Sequence, residues 1–179
     1  MTTTTTRSGH TAAGTSYEPS AATKVVAGVT RLALGWVFLW AFVDKAFGLG
    51  HATPAEGAWI EGGSPTTGFL SSIDGTFAGF FNGMAGNAWA DWLFMLGLLG
   101  IGVALLLGVF MNLAALSGAV MLVLMWMASL PLENNLFMDD HLVYAAVGIL
   151  LALMSAGRWL GLGARWERLP FVQSFPILK

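Results

Sequence analysis

The sequence predicts an all-α integral membrane protein: a four-transmembrane-helix bundle with an extracytoplasmic loop of short interfacial helices between helices one and two. Three observations predict it. The 179 residues are 56% hydrophobic and only 10% charged, with a mean hydropathy of +0.70. Soluble domains carry roughly 25% charged residues, so this chain cannot coat a soluble globule. Two long tracts, Val25–Val43 and Trp92–Leu132, are apolar, the first interrupted only by Arg31 and the second free of charge. Basic and acidic residues also fall at opposite ends of the expected spans.

Residues 1–23 are rich in Thr, Ser, Ala and Gly and nearly devoid of large apolar side chains. Such a segment cannot offset its ordering entropy and is expected to be a disordered cytoplasmic tail. Helix one is expected over 25–45. Its apolar run would cover about 28 Å, close to the hydrocarbon thickness of a bilayer. Residues 46–90 are broken by Pro54, Pro65 and paired glycines, yet hold Trp59, Phe69, Phe77, Phe80, Phe81 and Trp89. A solvated linker has no need of these aromatics. They point to an outer cap of short helices at headgroup depth. As one helix the uncharged tract 92–132 would span about 60 Å, twice the hydrocarbon core. It must fold back once, and GVFMN, residues 108–112, is its weakest helical point. Helices two and three are therefore expected over 91–109 and 112–131, the latter stopped by Pro131. Helix four is expected over 140–160, with residues 161–179 as a cytoplasmic extension.

Four crossings bring both termini to one side. Lys24, Arg158, Arg165 and Arg168 flank that side, while Asp44, Glu56, Glu61, Asp74, Asp91, Glu133, Asp139 and Asp140 lie opposite with the single lysine Lys45. The basic excess places both termini in the cytoplasm. Small residues recur four apart at Gly100, Ala104 and Gly108, at Ala114 and Gly118, at Ala115 and Ala119, and at Gly148, Ala152 and Ala156. Such stripes pack membrane helices inside a bundle or across a homodimer.

Composition also excludes functions. The formal net charge of −2 shows no basic excess for nucleic acid. The absence of cysteine removes disulfides, thiolate catalysis, iron–sulfur ligation and covalent haem. The three histidines are His10, His51 and His141, and a bis-histidine haem would need His51 out of its loop. No metal-ligand pair, phosphate loop, dinucleotide motif or nucleophile elbow is present. No covalently bound cofactor is expected, and a redox role would require a diffusible carrier such as a quinone, or a partner subunit.

The polar groups near the outer rim are the candidate site. His141, Tyr144, Gly148 and Ala152 share one face of helix four, so His141 and Tyr144 are expected to point into the bundle. They would hydrogen-bond a quinone carbonyl and pass protons, or bond each other and the interfacial belt. Asp139 and Asp140 open that helix, where carboxylates cap free N–H groups; Asp91 opens helix two in the same way. Asp44 and Lys45 end helix one. They either pair with Asp91 or Asp140 or close the bundle mouth as a polar site. Arg31 lies about two turns inside the membrane, where it would snorkel to headgroups or anchor a carboxylate, a lipid phosphate or a quinone. Arg158 is expected to be a positive-inside anchor.

Three stretches, RLALGWVFLWAFVDKAFG, PLENNLFMDDHLVYA and SAGRWLGLGARW, together resemble the DoxX family of small four-helix bacterial membrane proteins, over residues 25–166. The resemblance implies the bacterial plasma membrane. It carries Arg31, Lys45, Asp140, His141, Tyr144 and Arg158 onto the family's polar positions. The family includes membrane subunits similar to those of thiosulfate:quinone oxidoreductases, so the resemblance implies a membrane subunit of a quinone-linked redox or oxidative-stress system with a protein partner. A non-catalytic scaffold or accessory subunit of a membrane oxidoreductase complex, and a small transporter using Arg31 and Asp44, are the other readings.

Overall fold

The structure, a computed structural model, describes residues 18–179, and within them the chain is helical with no strand. The tail expected over 1–23 lies outside the described residues up to position 17. Its end belongs to the first helix, α1 (Ala21–Phe47), because the Ser20 hydroxyl caps it by accepting from the Thr23 N–H at 3.1 Å. At 27 residues, α1 spans about 40 Å, so its ends project beyond a bilayer core. It stops at Gly48, whose φ of 61° is the left-handed conformation that closes helices.

A cap follows. It contains two 3₁₀ turns, Ala55–Gly57 and Trp59–Glu61, and two short helices, α2 (Thr67–Ser72) and α3 (Ala78–Asn82). The cap is a packed lid. Leu70, Ile73 and Phe81 bury themselves against Ala90, near the start of the next long helix, and Ala128, at the end of the one after it. Trp59 stacks edge-on against Trp92 at 4.7 Å, while Phe69, Phe80 and Trp89 stay exposed as an interfacial belt requires.

The uncharged tract folds back once, as its length demands. It forms α4 (Ala88–Leu107) and α5 (Met111–Ala128) around a turn at residues 108–110, where Gly108 has φ 74°. The fourth long element, α6 (Asp140–Leu153), has only 14 residues. It is shorter than the expected 140–160 because the backbone turns left-handed at Ser155, φ 52°, and continues as the 3₁₀ turn Ala156–Arg158. Two short helices, α7 (Gly163–Trp166) and α8 (Pro170–Ser174), complete the C-terminal extension.

Three helices, α1, α4 and α5, are long and apolar enough to cross a membrane. They display large apolar residues outward, such as Trp36, Leu93, Leu96, Leu116 and Val120. A surface of this kind associates with lipid. Helix α1 packs on α4 and α5 packs on α6, with Leu34, Phe38, Met95, Ile101, Leu105 and Leu122 in the shared core. Of the expected Gly100–Ala104–Gly108 stripe, Gly100 faces open space while Gly108 meets Gly157 backbone to backbone. Between α1 and α4 the close approaches lie elsewhere: a Cβ on Gly102 would stand 2.7 Å from the Leu39 nitrogen, and one on Gly35 would stand 3.0 Å from Leu106 N.

Candidate functional site

At the rim under the cap, three carboxylates are each committed to backbone. Asp44, in the last turn of α1, is buried. Its two oxygens accept from the N–H groups of His51, at 3.2 Å, and Ala52, at 2.9 Å, which folds the chain back over the helix end. His51 is thereby set edge-on against Trp40, 5.2 Å away. Asp91, in the first turn of α4, accepts through Oδ1 from Ser64 Oγ, Thr66 N and Thr66 Oγ1, at 2.9, 3.1 and 2.6 Å. Its carboxylate also sits where the helix dipole favours it. Asp139 caps α6 by accepting from the Leu142 N–H at 3.3 Å.

The expected ion pairs of Asp44 and Lys45 with Asp91 or Asp140 do not form. Lys45 is half-buried and makes no ion pair among the described residues. The physical reason is competition: several fixed backbone N–H groups hold a carboxylate at lower entropic cost than one flexible lysine does.

What the structure does bring together is Asp139, Asp140 and His141. His141 Nδ1 lies 2.7 Å from Asp139 Oδ2 and 3.6 Å from Asp140 Oδ1, with about a fifth of its side chain exposed. A carboxylate against Nδ1 favours the proton there and leaves Nε2 as the basic nitrogen. Carboxylate and imidazole ligand atoms of these three residues lie within 4.8 Å of one another, but Asp139 already occupies Nδ1. Tyr144 separates from His141: no hydrogen bond joins them, and Tyr144 lines the bundle interior beside Ala145 and Gly148.

That interior is nearly closed. The gap among α1, α4, α5 and α6 measures about 10 Å³, room for one water. A quinone ring would have to meet His141 from the rim, not from a central chamber. A groove of about 410 Å³ opens instead between the cap and the loop after α5, lined by Phe69, Ile73, Asp74, Pro131 and Glu133 among others.

Arg31 sits at the other end of the bundle, and it neither snorkels nor meets a carboxylate. It is fully buried. Nη1 donates to the carbonyls of Leu105 and Leu106, the latter at 3.0 Å, and Nη2 donates to those of Trp159, 3.1 Å, and Leu160, 2.8 Å. The first two are carbonyls of the last turn of α4, which have no intrahelical partner. The last two belong to the turn after α6. One guanidinium thus ties the ends of two helices to α1, with Nε alone left without a partner. Arg158 grips Glu167 through Nε at 3.1 and 2.9 Å, so it serves α7 rather than acting as a free anchor.

Sequence reasoning did not find the partners Ser64, Thr66 and Glu167, nor the four carbonyls. The run SPTT, residues 64–67, carries a turn signal, but nothing local pairs it with Asp91 twenty-five residues on. Compared with known protein families, curated proteins and solved structures, the chain finds no match in any of the three.

Proposed function

We propose that the chain is a four-crossing membrane protein of the bacterial plasma membrane with both termini cytoplasmic, serving as a non-catalytic accessory subunit of a membrane oxidoreductase assembly. The observation that carries this reading is that four of the charges within the bundle and at its mouth, Arg31, Asp44, Asp91 and Asp139, are bonded to the chain's own backbone. Groups so committed rigidify a scaffold and are not available to turn over a substrate. The small interior gap, about 10 Å³, agrees with it. For the fourth crossing, α6 with its following 3₁₀ turn reaches about 27 Å, slightly short of the core, a mismatch that local thinning accommodates. Four crossings also suit the placement of acids at one end and bases at the other. The redox context is supported by the resemblance of three stretches of the chain to DoxX proteins.

A second reading, a quinone-linked subunit, is favoured by the 2.7 Å contact of Asp139 with His141. Here His141, beside Asp139 and Asp140 on the rim, would receive a quinone headgroup from the lipid and exchange a proton with it. Purification in mild detergent separates the two. Co-migration with an oxidoreductase activity, unchanged by His141→Ala, supports the accessory role. Stoichiometric quinone lost on His141→Ala supports the second reading and overturns the first.

A further inference from the structure

The charges at the terminal end are not all spent. Of the 10 Asp and Glu residues, only Glu18 and Glu167 lie at the end that carries both termini. Glu167 is gripped by Arg158 and Glu18 lies 4.0 Å from Lys24. Arg165, Arg168 and Lys179 are exposed and make no ion pair among the described residues, and residues 1–17 contain no carboxylate side chain to supply one.

These three cations belong to a segment that is fixed, not trailing. Val172 is fully buried. The Asn112 N–H, in the first turn of α5, donates to the Lys179 carbonyl at 2.8 Å, and Asn112 Nδ2 donates to the Pro176 carbonyl at 2.9 Å. Trp166 Nε1 donates to the Leu178 carbonyl at 2.6 Å, and its ring packs 4.4 Å from Phe110. Residues 163–179 therefore form a collar around the α4–α5 turn.

The outer side of that collar is mixed. Leu162, Leu169, Phe171, Phe175 and Ile177 are exposed between the free cations. Val25, Val26 and Leu153, towards the same end of the long helices, are exposed and apolar as well. Apolar side chains interleaved with cations at the end of lipid-facing helices match the headgroup layer of an anionic leaflet. A soluble acidic partner would account for the cations but not for the large apolar side chains exposed among them.

We infer that residues 163–179 form an interfacial collar that recruits anionic phospholipid headgroups, with Arg165 and Arg168 as the principal contacts and Lys179 in support. The inference rests on the chain being membrane-inserted, not on the accessory role.

The test uses the full chain in nanodiscs of equal phosphatidylglycerol and phosphatidylcholine, released gently and read by native mass spectrometry. The wild type should retain phosphatidylglycerol preferentially. Arg165→Gln with Arg168→Gln should reduce that preference by up to about 30-fold. Lys45→Gln, at the opposite end, should leave it unchanged. If the double glutamine variant misfolds, Arg165→Lys with Arg168→Lys should keep the preference. The wild-type preference itself should fade as salt rises from about 0.1 M to 1 M and the screening length falls to about 3 Å. A double glutamine variant with wild-type preference overturns the inference, as does salt-insensitive retention. Equal protection of the chain by inorganic phosphate overturns the assignment to a lipid. A chain that fails to enter the discs overturns membrane insertion as well, whereas an inserted chain without lipid preference overturns the collar alone.

Discussion

Arg31 Nη2 donates to the Leu160 carbonyl at 2.8 Å, joining residues 129 positions apart inside an otherwise apolar bundle. With Leu105, Leu106 and Trp159 the same guanidinium satisfies four carbonyls that would otherwise be orphaned away from water. A hydrogen bond from a charged donor is worth roughly 1.5–3 kcal/mol, and the carbonyls left behind add desolvation cost. Arg31→Leu should therefore destabilise the fold by about 3–5 kcal/mol. Arg31→Lys, with three donors in place of five, should recover part of that loss. Thermal unfolding in detergent measures both, and an unchanged midpoint for Arg31→Leu would refute the staple.

Next to that staple, Gly108 and Gly157 meet backbone to backbone. A Cβ on Gly108 would lie 2.6 Å from the Gly157 oxygen, and φ there is 74°, so Gly108→Ala meets both a clash and a conformational penalty of about 1 kcal/mol. Gly157→Ala would press on the Gly108 carbonyl. Both should lower stability by at least about 2 kcal/mol. Gly100→Ala should be neutral or stabilising by up to about 1 kcal/mol, because Gly100 faces open space within a helix. Denaturation by increasing SDS in mixed micelles ranks the three, and a Gly100→Ala loss equal to that of Gly108→Ala would contradict the packing.

How much of this was readable in the chain follows from the range of each interaction. Hydropathy and charge are carried by composition, so α1 and the fold-back near Gly108 were legible; the loop's short helices were expected at headgroup depth, whereas Phe81 turns inward to pack with Leu70 and Ile73. The end of α6 was not, because it depends on a left-handed Ser155 and a turn whose carbonyls are held by Arg31. Helical spacing put His141 and Tyr144 on one face, yet the carboxylate of Asp139 turns His141 to the rim while Tyr144 stays in the interior. The small-residue stripe named Gly100, but any glycine in a helix has that signal; only the approach of Leu39 singles out Gly102.

The cap should loosen when its two carboxylate pins are removed. Asp44→Asn keeps one acceptor but turns an NH₂ toward a backbone N–H, and Asp91→Asn sets the same mismatch against Ser64 and Thr66. Each should cost about 1–3 kcal/mol of local stability. Hydrogen exchange should accelerate over residues 48–58 in the first variant and over 63–72 in the second, with the long helices unaffected. Thr66→Val and Asp91→Asn should be non-additive, since they remove the same 2.6 Å bond. Additive effects would place Asp91 elsewhere.

Asp139 has two jobs that substitution can separate. It caps α6 through Oδ1 and holds His141 through Oδ2. Asn and Asp are equal N-caps, whereas Ala is a poor one. Asp139→Ala should therefore lower stability by about 1 kcal/mol while Asp139→Asn leaves it within about 0.5 kcal/mol of wild type. The asparagine variant keeps the helix start and removes only the charge beside the imidazole. If the chain is an accessory subunit, Asp139→Asn should assemble and support partner activity as the wild type does. If His141 instead exchanges protons with a quinone at the rim, the same variant should slow quinone-coupled turnover by about 10- to 100-fold at unchanged stability. Because the cap is preserved, a fall in turnover cannot be attributed to unfolding of α6, and this single substitution decides whether the rim is chemistry or architecture.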